Sequence, residues 1–223
     1  MLTAGLTKTE YGTFDLISTL VSLFLPIVIL KLDMGVFRYL IEYRDDDRRK
    51  KEVISTSTIF VISVSLVAVF IAFFFLKNID IETRMLICIY FLVDIIFVVF
   101  QQAVRGLSKN FLYSLGAILF SLVNMAGILL LVSFYHKGLV GVLIAMIIAN
   151  VVVSLILFIS AHLYHYFSLS CFSIERLLEM LGYSWPLIPN SLSLWVMNLS
   201  DRLIITTFLG VETNAIYAVA NKI

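Results

Sequence analysis

The sequence is poor in the residues that build disulfide frameworks, metal sites and soluble domains. Among its 223 residues there are two cysteines, three histidines and three prolines, and 14% of the residues are charged. Cys88 and Cys171 have neither a CxxC spacing nor a metal-type spacing, so we expect no disulfide and no metal site. The net charge of +1 gives no reason to expect a nucleic acid as the partner. No hydrophilic stretch is long enough to form a soluble domain.

Apolar residues dominate the sequence. They account for 61% of it, and the mean hydropathy is +1.03, whereas soluble domains are about 45–50% apolar. The apolar runs lack β-barrel alternation and therefore predict membrane-crossing helices. Six such runs are long enough to span a bilayer, and a seventh begins near Asn214. They cover residues 14–34, 53–76, 85–104, 112–134, 139–161 and 184–208. The predicted fold class is an all-α multi-pass membrane protein.

Lysine and arginine are divided unevenly between the predicted loops. The loops 42–52, 105–110 and 162–182 carry eight of these residues, and the loops on the opposite side carry four. The positive-inside rule therefore places the first set of loops in the cytoplasm. We interpret the charge run in 42–52 as a solvated loop, with contact to lipid headgroups as the alternative. Arg38 and Glu42 are four residues apart and are predicted to pair on a helix surface.

The stretch 182–210 combines the length of a membrane span with polar side chains inside it. At about 100° per residue, these side chains and one indole fall on less than half the circumference of a helix. Polar groups are costly in hydrocarbon unless they face protein or water, so we interpret this face as the wall of a water-filled cavity. The alternative is a buried face that is held to neighbouring helices by hydrogen bonds. The residues concerned are Asn190, Trp195, Asn198, Asp201 and Arg202.

Asp94 lies near the middle of the third predicted span. Gln101 and Arg105 follow seven and eleven residues later, so they share its helix face within about 20°. An acidic residue inside the membrane is a functional candidate, either facing a cavity or binding a coupling ion such as H⁺ or Na⁺. The alternative is a carboxyl group held by a neighbouring helix. We interpret Asn124 and Asn150, in the fourth and fifth spans, as interhelical hydrogen-bonding groups.

The connector after the fifth span contains two histidines. His162 and His165 are three residues apart and have no carboxylate or cysteine nearby, so we interpret them as part of an interfacial aromatic belt and not as a metal site. Further along the connector, Glu175, Arg176 and Glu179 predict a polar amphipathic segment. The composition of the chain changes here.

We place a boundary between two units, 1–166 and 167–223, within this connector. A weak internal similarity between residues 6–16 and 209–219 supports the division, because internal repeats are common in transporters. The offset between the two segments implies a helix before the first span and further helices after the last. We therefore expect the chain to be a fragment of a longer transporter.

Five segments of the sequence carry a family resemblance. They read LTKTEYGTFDLIS, GVFRYL, RGLSKNFLYSLG, YSWPLIPNSLSLWVMNLSDRLIITTFLG and NAIYAVANKI. Together they resemble the bacterial polysaccharide flippases of O-antigen and capsule assembly, within the MATE-like exporter superfamily. The resemblance implies two six-helix lobes around a central cationic cavity that opens alternately to each side. It implies that 1–166 form an N-terminal lobe without its first helix and that 167–223 begin the C-terminal lobe.

The resemblance also implies a cargo and the residues that bind it. The cargo would be an oligosaccharide on a lipid of the undecaprenyl-pyrophosphate type, moved across the bacterial cytoplasmic membrane without a cofactor. Membrane lipids and other polysaccharide-assembly membrane proteins would be the partners. Arginine suits a pyrophosphate because its planar fork of donors stays charged. The cationic residues implied by the resemblance are Arg38, Arg105 and Arg202. The polar or aromatic cavity residues come from the helix faces described above and are Asp94, Gln101, Asn190, Trp195, Asn198 and Asp201.

Other functions compete with this one. A multidrug or cation exporter of the same superfamily would favour acidic and aromatic cavity faces, but here Arg105 and Arg202 accompany Asp94 and Asp201. A lipid II flippase of the superfamily is a second alternative. A membrane enzyme needs convergent acid, base or nucleophile groups, which the spans lack, so we predict a transporter and not an enzyme. An inactive truncated chain is the last alternative.

Overall fold

The computed structural model describes residues 6–220, and every regular element within them is a helix. This confirms the predicted all-α fold. Residues 129–134 continue the fifth helix as a π-helical turn, and two short 3-10 turns lie in the connector after the sixth. The helices are α1 (Lys8–Val28), α2 (Leu32–Glu42), α3 (Asp47–Phe75), α4 (Ile81–Gly106), α5 (Asn110–Ile128), α6 (Gly138–Ser160), α7 (Ile174–Ser184), α8 (Leu187–Leu209) and α9 (Val211–Ala220).

Five helices within the described residues are long and apolar enough to cross a membrane. They are α1, α3, α4, α5 with its π-helical continuation, and α6. They correspond to the first five predicted spans, so the chain is a multi-pass membrane protein. The sixth predicted span forms α8, a helix of 23 residues. It is not one of the five, because Asp201, Arg202 and two asparagines lower its hydropathy.

The first helix begins and ends earlier than the predicted span 14–34. It begins earlier because Thr7 and Glu10 form a capping box, in which each side chain accepts the other residue's backbone N–H. It ends earlier because Leu30 and Lys31 adopt left-handed conformations, with φ of 52° and 56°. Residues other than glycine rarely take this conformation, and it interrupts the helix. The residues after this interruption therefore form a separate helix, α2.

Helix α4 lies at the centre of the bundle, where it packs against α2, α3, α5 and α6. Its residues Ile95 and Val104 are fully buried. Its C-terminal end approaches α2 closely, since a Cβ added to Gly106 would lie 2.8 Å from the Cβ of Leu40. The C-terminal ends of α2 and α4 are therefore neighbours.

Helices α8 and α9 pack against α1. A Cβ added to Gly12 of α1 would lie 2.2 Å from the carbonyl oxygen of Val211, so this approach requires glycine. The last part of the chain is thereby joined to the first helix. This packing connects the two predicted units, 1–166 and 167–223. The boundary between them stays a prediction.

Helix α7 folds back onto α2 and α3. A Cβ added to Gly35 of α2 would lie 2.6 Å from the hydroxyl oxygen of Ser184 in α7, so the two helices cross at close range. At the other end of α7, the Arg176 guanidinium lies 3.5 Å from the Glu52 carboxylate of α3. These contacts hold α7 against α2 and α3.

Candidate functional site

Two arginines lie where the C-terminal ends of α2 and α4 meet. The Arg105 guanidinium lies 4.3 Å from the centroid of the Phe37 ring and 5.4 Å from that of Tyr113. The Arg38 guanidinium lies 4.2 Å from the centroid of the Tyr183 ring. Stacking on an aromatic ring uses the flat face of a guanidinium and leaves the N–H donors at its edge available for an anion.

Neither of these arginines has a carboxylate partner within residues 6–220. The predicted pair between Arg38 and Glu42 is wrong, because the Arg38 guanidinium packs on Tyr183 while Glu42 is exposed. The neighbouring Arg176 is by contrast ion-paired. The charges of Arg38 and Arg105 are therefore not neutralised by the described part of the chain.

Lys109, another basic residue near this end of α4, has a structural role. Its Nζ donates a hydrogen bond to the carbonyl oxygen of Ala161 at 2.6 Å, just after α6 ends. Burial lowers the pKa of Lys109. A lysine that bonds a carbonyl at the C-terminus of a helix satisfies an acceptor that would otherwise lack a partner. Lys109 is thus committed to the end of α6, unlike the two arginines.

A polar cavity of about 390 Å³ is lined by residues of α1, α4 and α8. Asp94 contributes to its wall, and Asp94 Oδ1 accepts a hydrogen bond from Asn150 Nδ2 of α6 at 3.3 Å, in line with the interhelical role predicted for Asn150. Lys31 Nζ, also in the wall, lies 3.6 Å from Asp33 Oδ2. Gln101, predicted on the same face as Asp94, is partly exposed outside this lining. The polar lining residues are Ser18, Ser22, Lys31, Tyr90, Asp94 and Ser191.

Arg202, which was predicted as a cationic cavity residue, is ion-paired with a carboxylate of α1. Its Nη1 donates to Asp15 Oδ1 of α1 at 2.6 Å, and Asn214 Nδ2 of α9 approaches the other oxygen of Asp15 at 3.4 Å. Asp15 was not among the site residues predicted from the sequence. It is an acidic residue inside a membrane span, which is the same signal that identified Asp94.

The remaining polar residues of α8 do not form one cavity face. Trp195 is buried against α1, where its indole N–H donates to Thr19 O at 3.1 Å, so its ring is not an open platform. Asn198 is exposed and donates to a carbonyl of its own helix. Asp201 is exposed and accepts a hydrogen bond from the Tyr217 hydroxyl at 2.6 Å. Asn190 is exposed near the start of the helix. The polar face predicted for α8 is therefore not one surface, because some of its residues pack against α1 and others are exposed.

The histidines of the connector form a cluster with a tyrosine. The ring centroids of Tyr164 and His165 are 4.4 Å apart, and His162 Nδ1 lies 3.0 Å from the Tyr164 hydroxyl. Within residues 6–220 no group of three or more histidine, cysteine or acidic residues is placed to hold a metal ion. The cluster is an exposed aromatic surface at the end of α6.

These features define a helical membrane protein with a polar cavity beside its central helix and two guanidinium groups at one end. A family model for polysaccharide biosynthesis proteins matches residues 1–223. The chain therefore belongs to the polysaccharide biosynthesis protein family and has a role in polysaccharide biosynthesis or export. The match confirms the resemblance found in the sequence. No curated protein and no solved structure matches the chain.

Proposed function

We propose that this protein translocates a lipid-pyrophosphate-linked oligosaccharide across the bacterial cytoplasmic membrane by alternating access. The observation that carries the proposal is the placement of Arg38 and Arg105 at neighbouring helix ends, each against an aromatic ring and without a carboxylate partner among residues 6–220. Two guanidinium groups that keep their charge in this way favour binding of an anion with several oxygen atoms. The family supports a polysaccharide intermediate as the cargo.

The pyrophosphate is the part of such a cargo that these arginines would bind. It presents several anionic oxygens, and a guanidinium donates two parallel N–H bonds to such a group. The positive-inside rule predicts that the loop that follows Arg105 is cytoplasmic, and a cargo that is to be exported would enter from that side. The arginines would therefore capture the headgroup while the lipid tail stays in the bilayer.

Movement of the cargo would use the interruption between α1 and α2. Leu30 and Lys31 are held in left-handed conformations there, a local strain that concentrates in segments which switch conformation. Helix α2 carries Phe37 and Arg38, so a change of angle at this interruption would move one of the two cations relative to the other. Rocking of two halves around a fixed site is the usual mechanism of transporters built in this way.

Genetic complementation tests the proposal. The protein is expressed from its native reading frame in a bacterial strain that lacks its polysaccharide flippase, and surface glycan is measured. We expect the wild type to restore surface glycan and Arg38→Ala or Arg105→Ala to reduce its rate of appearance by about tenfold or more, since a charge-assisted hydrogen bond contributes about 1.5–3 kcal/mol.

Arg49→Ala provides the matched control. Arg49 lies at the same end of the bundle and stacks on the Tyr43 ring at 5.0 Å, but it is ion-paired with Asp46 at 3.3 Å. Its loss should leave glycan export within twofold of the wild type. Absence of surface glycan in a panel of such strains, with the protein present in the membrane, would contradict the proposed function.

A cation exporter is a second candidate because Asp94 lines the cavity while the nearby Lys31 charge is paired with Asp33. An uncompensated carboxylate attracts organic cations. In that case the strain would gain resistance to cationic drugs, Asp94→Asn would abolish that resistance, and Arg105→Ala would not affect it. We favour the flippase because the family is one of polysaccharide biosynthesis.

A further inference from the structure

The cavity around Asp94 lies at the depth where a hydrophilic cargo is most costly to move. Asp94 is in the middle of α4, which spans Ile81–Gly106 and crosses the membrane. A sugar hydroxyl that leaves water without a new partner costs about 1–3 kcal/mol by protein mutational measures. A glycan that passes this depth therefore needs hydrogen-bond partners from the protein, and transporters commonly bind their substrates near the midplane.

The lining of the cavity offers groups that match sugar hydroxyls. Asp94 supplies a carboxylate that Asn150 holds in place at one oxygen, Tyr90 supplies a phenol one helical turn earlier, and three serines contribute hydroxyls. Ser18, in the wall, has its Oγ buried without a partner among the described residues. A sugar hydroxyl both donates and accepts, so it satisfies a carboxylate and a serine at once.

The cavity has one carboxylate that no cation balances among the described residues. Lys31 is the basic residue in the wall, and its charge is balanced by Asp33 at 3.6 Å. The Arg202 charge is balanced by Asp15. Tyr90, Asn150 and the serines that face Asp94 from α1, α4, α6 and α8 are uncharged. Among the described residues that line the site, the net charge is therefore that of Asp94, and a second carboxylate beside it is disfavoured by like-charge repulsion.

We propose that the Asp94 cavity is a sugar-binding site that accepts neutral or amino sugars and rejects acidic ones. This inference rests on the proposed function, because it assigns a glycan to the cavity, and it names the class of sugar. Asp94 is the specificity-determining residue, since its carboxylate accepts hydrogen bonds from sugar hydroxyls and repels a uronate. The volume of about 390 Å³ is at the lower end of the range for small-ligand pockets, about 300–1,000 Å³.

Trp195 provides a direct readout of occupancy. Its indole N–H donates to Ser22 Oγ at 3.2 Å, and Ser22 lines the cavity. The chain has two tryptophans, and the other, Trp185, is 63% exposed. In a Trp185→Phe background, fluorescence therefore reports on Trp195. The full-length protein in lipid nanodiscs is titrated with methyl N-acetylglucosaminide and, separately, with methyl glucuronide.

We expect a saturable change with methyl N-acetylglucosaminide and an affinity for methyl glucuronide that is at least about tenfold weaker. Asp94→Asn should bring the two affinities within twofold, while Glu82→Gln, which alters an exposed acid in the first turn of the same helix, should leave the ratio unchanged. Ser18→Ala should weaken binding of both glycosides without altering their ratio.

Failure of this inference is distinct from failure of the proposed function. Absence of a saturable change, equal affinities in the wild type, or an unaltered ratio in folded Asp94→Asn overturns the sugar site. If Asp94→Asn does not fold, the wild-type ratio and the effect of Ser18→Ala decide. Surface glycan in the complementation test reports on the flippase independently, and it can be restored whether or not the cavity discriminates between the two glycosides.

Discussion

The Arg202 guanidinium donates a hydrogen bond to the Asp15 carboxylate at 2.6 Å, across 187 residues of sequence. The Asp15 side chain is 3% exposed and that of Arg202 is 16% exposed. Asn214 approaches the second carboxylate oxygen, so one buried acid connects α1, α8 and α9. The Asp15–Arg202 pair therefore joins three helices of the bundle.

Removal of one member of this pair should destabilise the protein strongly. We expect Asp15→Ala or Arg202→Ala to lower the free energy of unfolding by about 3–5 kcal/mol, because each leaves a buried charge without a partner. Thermal unfolding of the detergent-solubilised protein measures the effect. The reversed pair, Asp15→Arg with Arg202→Asp, should recover part of the loss. Lys50→Ala, which breaks an ion pair with the exposed Asp47, should cost about 1 kcal/mol or less.

The crossing of α2 and α7 predicts a contrast between two glycines. A Cβ on Gly35 would lie 2.6 Å from Ser184 Oγ and 3.1 Å from Met180 O, so Gly35→Ala should separate the helices and cost about 1–3 kcal/mol. Gly182, in α7, has no atom within 4 Å of an added Cβ. Gly182→Ala should therefore stabilise the helix by up to about 1 kcal/mol. Equal melting temperatures for the two variants would refute the close crossing.

The start of α4 predicts a pH-dependent contribution to stability. Asp80 Oδ2 accepts a hydrogen bond from the Thr83 backbone N–H at 2.8 Å, and this bond lowers the pKa of Asp80. A carboxyl whose pKa is depressed by folding stabilises the protein above its unfolded pKa, and the contribution is lost as the pH falls through the folded pKa. Asp80→Asn keeps the cap but not the charge.

Melting temperatures measured from pH 7 down through the carboxyl range test this contribution. The wild type should melt above Asp80→Asn at neutral pH, and the difference should shrink as the pH falls. Glu82→Gln, two residues further on, is the control for loss of an acidic charge that does not cap the helix. A constant difference between the wild type and Asp80→Asn at every pH would show that the charge of Asp80 has no role.

The membrane spans could be predicted because hydropathy is a local property of the chain. Five apolar runs became spanning helices, although the first shifted toward the N-terminus through the capping box of Thr7 and Glu10 and the left-handed residues Leu30 and Lys31. The capping box is a local sequence signal, Thr7 followed three residues later by Glu10, that a hydropathy profile does not register. The left-handed residues depend on tertiary packing and leave no pattern in that profile.

The partners of the site residues could not be predicted from spacing alone. Helical periodicity placed Glu42 beside Arg38, whereas the fold supplies Tyr183 of α7. Periodicity also placed Arg202 on a polar stripe, and its partner Asp15 comes from α1. A stripe on one helix identifies which side chains share a face, but the neighbouring helix decides whether their charges are neutralised.

Binding of a prenyl pyrophosphate tests most directly whether Arg38 and Arg105 form an anion site for the cargo. The purified protein in nanodiscs is titrated with farnesyl pyrophosphate and with farnesyl monophosphate, and heat of binding is measured for the wild type, Arg38→Ala, Arg105→Ala and Arg49→Ala. We predict that the wild type prefers the pyrophosphate, that Arg38→Ala and Arg105→Ala each weaken its binding by about tenfold or more, and that Arg49→Ala binds as the wild type does. Equal binding of both ligands, or equal losses in all three variants, would contradict the account.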